Sequence, residues 1–366
     1  MPLGSNNMSS RPTKKTICYI LSYRDPSYIR TYTLCQALNR IKGITVVYAI
    51  NKNPNLFRYI ETLIKLIYIR IKYKPETYIL GFRGHEIFWP VRWITWNKYL
   101  IFDSFISPSD ALSNEKKAGL LGQYLGELCY PLEKAILNHA DLLLTDTQSH
   151  KIFFNQKFNI PLEKIRTIYV GAHENITIPK QNISLDKPMQ VLFYGSFLPL
   201  HGLNVILDAI KQIKEIPVKI ILIGGNKTVS KQITLFQKKN KLIHFDYHKW
   251  VNFPELCQHY IAESEIILGG PFGGTGQAQR VITGKTFQSL AMGKVTIIGK
   301  VSEDTGFEHQ KNCLLIEQEN ATELAQAIYW CYQNRKKLSL IGQEGKNLFL
   351  HRYSVAQIAS ELKSIL

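Results

Sequence analysis

The sequence lacks the patterns of a protein that spans a membrane or is cross-linked by disulfides or zinc. No apolar run approaches the ~18 residues of a membrane-spanning helix, although 45% of the 366 residues are hydrophobic. The cysteines have no paired spacing of the kind that a zinc site or redox motif needs; they are Cys18, Cys35, Cys129, Cys257, Cys313 and Cys331. A reduced, cytoplasmic protein is therefore predicted. The first seven residues, MPLGSNN, are typical of a cloning remnant, and no apolar leader pattern follows Met8.

Acidic residues are scarce relative to basic ones. The 45 Lys and Arg outnumber the 28 Asp and Glu and leave a formal charge of +17. Residues 1–180 contain 24 basic and 13 acidic side chains, so +11 of that charge lies in the N-terminal half and +6 in the rest. This excess favours an anionic partner: a phosphate-bearing substrate, an acidic membrane surface or a nucleic acid. The alternative is a lysine-rich composition with no specific partner.

The first half of the chain alternates between buried-strand patterns and helical patterns. The run TICYILSY from Thr16 predicts a strand, residues 27–41 have helical periodicity, and ITVVYAI from Ile44 predicts a second strand. Further strands are predicted to begin at Thr77, Lys98, Asp141 and Ile165. Such alternation predicts an α/β domain whose parallel sheet is covered by helices on both faces. We place this domain at residues 16–177.

The alternation starts again after a polar segment that contains two prolines. Residues 176–188 lack apolar periodicity and are predicted to link two domains. Strands are then predicted to begin at Met189, Val218, Leu242, Ser264 and Lys294. Asn320 followed by Glu323 predicts a capping box at a helix start. A second α/β domain is therefore placed at residues 188–350, and residues 351–366 are predicted to form an amphipathic helix that crosses back over both domains.

Two glycine-rich stretches follow predicted strands of the second domain, where open parallel sheets bind ligands. In residues 191–210 a strand ends at Gly195, and a second glycine, Gly202, precedes a helix whose free N–H groups attract phosphate. Residues 268–299 contain five glycines between Gly269 and Gly276, and Lys285 opens the next helix. Such a loop suits an anion held by backbone amides and a point charge. The alternatives are an ordinary tight turn and a flexible surface loop.

Polar side chains also follow two predicted strands of the first domain. Arg83, His85 and Glu86 come after the strand that begins at Thr77, and Asp103 comes after the next strand. An Asp facing a cleft can act as a base or bind substrate hydroxyls. The alternatives are an Asp that caps a turn and a histidine with a structural role.

Together these stretches resemble glycosyltransferase family 4, the retaining, metal-independent group with the GT-B fold. In that family a glycine turn and a Lys/His-Gly pair before a helix form part of the donor diphosphate site, and residues 195–202 are similar to it. Residues 285–298, KTFQSLAMGKVTII, are similar to the end of the family's Glu-x7-Glu signature. The resemblance implies two Rossmann-like domains facing across a cleft, a nucleotide-sugar substrate and no cofactor. The sequence has no Asp-x-Asp triplet, which agrees with transfer that needs no metal.

The sequence departs from the family pattern at charged positions. The two signature glutamates fall on Arg280 and Gln288, Ser196 takes the usual arginine position, and His201 stands where lysine is common. We interpret these changes as a subgroup feature in which Lys285, Arg280 and backbone amides supply the missing charge, while the Gln288 amide still binds hydroxyls. The resemblance implies a donor site formed by Gly195, Ser196, His201, Gly202, Gly273, Gly274, Arg280, Lys285 and Gln288. It implies that Asp103 and His85 lie near the reacting sugar.

Two segments of the first domain combine basic, aliphatic and aromatic residues. Residues 55–74 predict a basic amphipathic helix, and residues 89–96 contain three tryptophans and an arginine. Both patterns are typical of proteins that lie in the headgroup region of an acidic membrane. The alternative is a core helix with solvated lysines. A membrane-bound enzyme would be peripheral on the inner face of the plasma membrane, with a lipid-linked or membrane-embedded glycan as acceptor.

The predicted activity is therefore transfer of a sugar, with retention, from a nucleotide-sugar to a glycan or lipid-linked acceptor in bacterial surface polysaccharide assembly. One alternative is a nucleotide-sugar epimerase of the same fold. Another is a basic nucleic-acid-binding protein, although no recognised binding motif accompanies the charge and no nucleic-acid partner is expected. A scaffold that has lost its activity is a third.

Overall fold

The chain folds into two α/β units, each built on its own sheet. The structure is a computed structural model that describes residues 15–114, 119–176, 186–240 and 244–366. These residues form two six-stranded sheets in which every paired strand is parallel. Most of the predicted linker, residues 177–185, lies outside the described residues.

The first unit alternates strands and helices from Lys15 to Thr167. Its strands are β1 (Lys15–Leu21), β2 (Ile44–Ile50), β3 (Thr77–Leu80), β4 (Tyr99–Asp103), β5 (Leu142–Thr145) and β6 (Ile165–Thr167). Its helices are α1 (Ile29–Arg40), α2 (Arg58–Tyr73), α3 (Phe88–Ile94), α4 (Pro108–Asn114), α5 (Gly119–His139) and α6 (Gln148–Phe158). The strand order is β2-β1-β3-β4-β5-β6.

The second unit repeats this plan and adds the C-terminal helices. Its strands are β7 (Met189–Gly195), β8 (Val218–Gly224), β9 (His244–His248), β10 (Ile266–Leu268), β11 (Val295–Gly299) and β12 (Leu314–Ile316), in the order β12-β11-β10-β7-β8-β9. The helices are α7 (Leu203–Gln212), α8 (Lys227–Lys239), α9 (Phe253–Glu255, continued by a π-helical turn over Leu256–Ile261), α10 (Gly284–Ala291), α11 (Ala321–Gln333), α12 (Leu338–Arg352) and α13 (Val355–Ile365).

The central strands are apolar along their whole length because both faces of each sheet are covered. Alternate residues of β1 show this: Cys18 and Ile20 pack with α2, α3, α5 and α6, whereas Ile17 and Tyr19 pack with α1 and α13. All four side chains are fully buried. Successive residues of a strand point to opposite faces of the sheet, so a strand in the middle layer contributes to two cores.

The C-terminal helix returns to the first unit. Helix α12 packs against α10 and β11 of the second sheet, whereas α13 packs against α1. Val355, Ile358 and Leu362 of α13 complete the core on the α1 face of the first sheet. Ser354 caps this helix, because its side chain accepts a hydrogen bond from the Gln357 N–H.

The fold agrees closely with the sequence patterns. The apolar runs correctly predict eleven strands, and β2 has the predicted bounds. Asn320 caps α11 as predicted, and its side-chain amide donates to the Glu323 carboxylate; the other Glu323 carboxylate oxygen accepts from the Glu317 N–H. The patterns missed β12, because three apolar residues between polar segments carry little periodic signal.

Candidate functional site

The carboxyl end of β7 forms a tight turn that requires glycine. Gly195 has φ +144, and its carbonyl accepts a hydrogen bond from the Gly225 N–H at 3.1 Å. A Cβ on Gly195 would lie 3.6 Å from His201 Cε1 and 3.7 Å from Lys285 Cε. Three of the predicted donor-site residues therefore meet at this turn. Ser196 follows it and is exposed.

The two glycine-rich loops touch through their backbones. Gly202 has φ +65, and a Cβ there would lie only 2.6 Å from the carbonyl carbon of Phe272. The Gly273 N–H donates to the Leu200 carbonyl at 2.9 Å. Neither contact leaves room for a side chain, so the loops after β7 and β10 form one continuous wall of main chain. Gly274 extends this wall and is exposed.

Lys285 contributes a buried positive charge to this wall. It is 7% exposed, and its ammonium nitrogen lies 4.8 Å from the centre of the Phe193 ring. Burial lowers the pKa of its side chain to about 7. No carboxylate forms an ion pair with Lys285 within the part of the chain that the structure describes. A buried cation without a counter-charge is unfavourable, and an anionic ligand would relieve that cost.

His201 is a neutral side chain that can donate a hydrogen bond at this turn. Its Nδ1 accepts a hydrogen bond from the Leu198 N–H at 3.1 Å, so the neutral ring carries its proton on Nε2. Burial, followed by the charge of Lys285, lowers the pKa of His201 to about 2. The ring therefore stays neutral near pH 7, and Lys285 is the cation closest to the Gly195 turn among the predicted residues.

Gln288 does not face the Gly195 turn, contrary to its predicted role. Its Oε1 accepts from the His173 N–H at 3.0 Å, and its Nε2 donates to the His173 carbonyl at 3.1 Å. The side chain is 4% exposed. The amide therefore holds the segment that leaves the first unit, and its hydrogen-bonding groups are engaged with main chain instead of a sugar hydroxyl.

Arg280, predicted to replace lost charge at the donor site, lies between the glycine-rich loop and the first unit, and a Cβ on Gly276 would lie 3.1 Å from its Nη1. Its guanidinium forms an ion pair with Asp110 and lies 4.0 Å from the centre of the Phe153 ring. Its carbonyl accepts a hydrogen bond from Thr147 Oγ1. Asp110 thus neutralises this charge, and Arg280 joins the two units across the cleft.

Asp103 is buried in an ion pair, so the prediction that it faces a cleft is wrong. The side chains of Asp103 and Arg30 are both fully buried, with Arg30 Nη2 2.7 Å from Asp103 Oδ1. Arg30 also donates to the Tyr169 carbonyl at 3.0 Å. The pair ties α1 to the end of β4 and to the segment after β6. It leaves no accessible carboxylate at position 103.

His85 lies over β4 in an apolar setting. Its ring packs edge-on against Phe102, with 4.7 Å between the ring centres, and its Nε2 is buried with no hydrogen-bond partner among the described residues. Burial, with a smaller effect of Arg83, lowers the pKa of His85 to about 3. A histidine of this kind is a weak base, and its Nε2 is closed to solvent in this conformation.

Glu319 lies beside the glycine-rich loop, and the sequence reasoning did not single it out. It follows β12 with φ +61, and its N–H donates to the Phe272 carbonyl at 2.9 Å. Its carboxylate occupies the space that a side chain on Gly274 would need. The signal that could have identified Glu319 is the Glu-Asn pair between the short LLI run and the capped helix.

The described residues contain no cluster of three or more His, Cys, Asp or Glu side chains that could hold a metal ion.

Comparison with solved structures identifies the overall fold of the two domains. The structure superposes on HepE from Anabaena in complex with UDP-glucose with a TM-score of 0.70 at 15% identity, covering 96% of this chain and 100% of that one. It superposes on sucrose-phosphate synthase from Thermosynechococcus elongatus with a TM-score of 0.74 at 16% identity, covering 96% and 98%. The fold is GT-B.

A family model matches most of the second GT-B domain. Residues 188–334 match the family model for group 1 glycosyl transferases. The chain is also 27% identical over 185 residues to an uncharacterized glycosyltransferase of Methanocaldococcus jannaschii, covering 49% of this chain. The match spans about half of that curated relative, 47% of its length.

Proposed function

We propose that this GT-B protein is a glycosyltransferase that moves a sugar, with retention and without a metal ion, from a nucleotide-sugar to a glycan or lipid-linked acceptor. The observation that carries the proposal is Lys285: a buried cation with no acidic partner in the described residues, beside the Gly195 turn. A diphosphate would supply the negative charge and the hydrogen-bond acceptors that the described surroundings of the Lys285 ammonium lack. The family match over residues 188–334 supports the same assignment.

The wall of main chain would hold the donor diphosphate. Lys285 would pair with it, and His201 would donate from Nε2. As the bond between sugar and diphosphate breaks, negative charge grows on the leaving group, and fixed donors in a water-poor site stabilise that charge. Glu319, beside Gly274, is placed to accept hydrogen bonds from sugar or ribose hydroxyls. We assign no protein nucleophile, and the burial of Asp103 argues against using its carboxylate.

The donor is proposed to be a UDP-sugar, because the HepE structure that superposes on this chain contains UDP-glucose. The acceptor is proposed to bind the first domain, where most of the positive charge lies. A role in bacterial surface polysaccharide assembly and a cytoplasmic location remain part of this proposal.

A thermal-shift screen against UDP, GDP, ADP, TDP and CMP and their sugars at constant salt tests the donor site. A ligand that binds only the native state raises the melting temperature. We expect one nucleotide class to produce a rise of several degrees that Lys285→Ala abolishes. Lys231→Ala, an exposed lysine on α8 of the same domain, is the matched control and should keep the rise.

Two results would contradict the proposal. One is an unchanged nucleotide shift in folded Lys285→Ala. The other is no shift with any nucleotide together with tight, salt-sensitive binding to nucleic acid, which would favour the basic nucleic-acid-binding alternative. Conversion of the donor into its epimeric nucleotide-sugar without any acceptor would favour the epimerase alternative.

A further inference from the structure

Helix α2 is apolar on two opposite sides. Leu66 and Ile69 point inward and belong to the core of the first domain. Ile60, Ile64 and Ile71 point outward, and the last two are 62% and 70% exposed. A helix of a globular protein usually needs one apolar stripe for its core, and the opposite face is polar. The outward isoleucines of α2 therefore have no role in the packing of this domain.

The neighbouring helices also expose apolar side chains. Helices α2, α3 and α5 contribute to the same core on one face of the first sheet, and α3 contacts both others. Trp93 of α3 and Trp96 just after it are 69% and 63% exposed. Trp89, the third tryptophan of the predicted segment, instead packs beside the core. On α5, an exposed stripe follows helical spacing at Leu121, Leu125, Leu128 and Leu132.

The apolar surface has a basic border. Residues 52–74 contain six Lys or Arg and one acidic residue, Glu61. Glu61 already pairs with Lys65 at 2.6 Å. At the end of α2, the exposed Lys72 ammonium lies 2.7 Å from the Tyr68 hydroxyl. The charged side chains of this segment that have no acidic partner are therefore basic, and Lys72 lies beside aromatic rings.

We propose that the outward surface of α2, α3 and α5 binds the surface of an anionic phospholipid bilayer. Aliphatic side chains would enter the boundary of the acyl chains, tryptophan and tyrosine would lie at the level of the headgroups, and the lysines and arginines would contact lipid phosphates. A nucleic acid would satisfy the charge but would leave the exposed aliphatic side chains of α2 and α5 in water. Within the described ranges, no helix is long and apolar enough to cross a membrane, so this contact is one of a surface.

Vesicle co-sedimentation tests this inference independently of sugar transfer, because it needs no donor. The probes are vesicles of phosphatidylcholine alone and vesicles with about three parts in ten phosphatidylglycerol. We expect the protein to bind the anionic vesicles, and to bind less well as NaCl rises from about 0.1 M to about 0.5 M. Ile64→Ser/Ile71→Ser should reduce partitioning at least about tenfold, since two isoleucines lose their contact with lipid.

Leu235→Ser/Leu340→Ser is the matched control, because those leucines are 58% and 66% exposed on the second domain. It should bind vesicles like the unmodified protein, and both double variants should keep its melting temperature. Absence of binding to anionic vesicles would overturn the inference, as would unchanged binding of Ile64→Ser/Ile71→Ser. A dimer in light scattering that becomes monomeric in that variant, without vesicle binding, would identify a protein interface instead and also overturn it.

Discussion

The most demanding test of the donor site is the pH dependence of nucleotide-sugar binding. Burial lowers the pKa of Lys285 to about 7 in the ligand-free protein, whereas a lysine in water titrates near ~10.4. A diphosphate beside the ammonium would restore the charged form. Below about pH 7 the proton is already bound, but above it binding must take up a proton. The Kd should therefore rise roughly 30-fold between about pH 6 and about pH 8.5.

Isothermal titration with a nucleotide-sugar measures this slope cleanly, because a diphosphate esterified at both ends does not titrate in that range. His201, with a pKa of about 2, stays neutral throughout. Lys285→Arg is the control, since a guanidinium keeps its charge and should give a nearly flat profile. A flat profile for the unmodified protein, or the same slope in Lys285→Arg, would refute the reasoning.

The same pKa shift predicts the sign of a stability effect. The unfolded chain binds the Lys285 proton up to ~10.4, whereas the folded chain releases it near 7. Between these values the unfolded state holds more protons. The contribution of Lys285 to stability therefore rises with pH across that window and is least favourable below about pH 7.

Four further substitutions test the structural assignments by urea unfolding. Gly43→Ala, at φ +90 in open space, should cost about 1 kcal/mol, whereas Gly202→Ala should cost more than about 3 kcal/mol because its Cβ meets main chain; equal costs would disprove the clash. Asp103→Asn leaves the Arg30 guanidinium buried without its counter-charge and should cost about 3–5 kcal/mol, and a cost below ~1 kcal/mol would contradict the ion pair. Gln288→Leu should cost about 1–3 kcal/mol yet keep nucleotide affinity in the folded protein; lost affinity would return Gln288 to the donor site.

Sequence patterns predicted the fold well because the apolar runs and the caps are local signals. The strand ends also predicted that Gly195 and Lys285 lie close together, since residues that follow neighbouring parallel strands meet at one edge of a sheet, and the family resemblance added His201. These patterns could not show that Arg30 neutralises Asp103, because the pair is separated by 73 residues and joins a helix to a strand end. The bonds between Gln288 and the His173 main chain span 115 residues. The first pair depends on the tertiary packing of the first domain and the second on how the two domains sit together, and periodicity encodes neither.

Two chain crossings connect the domains, and they are packed into one joint. The segment after β6 and the turn between α12 and α13 meet where the rings of Tyr169 and Tyr353 lie edge to face, 4.9 Å apart, with Phe287 beside them. Away from this aromatic joint, the ion pair between Arg280 and Asp110 closes the gap between the domains. The two domains are therefore held at two separate places, so a change in the angle between them would have to break the Arg280–Asp110 ion pair, separate the packed rings, or both.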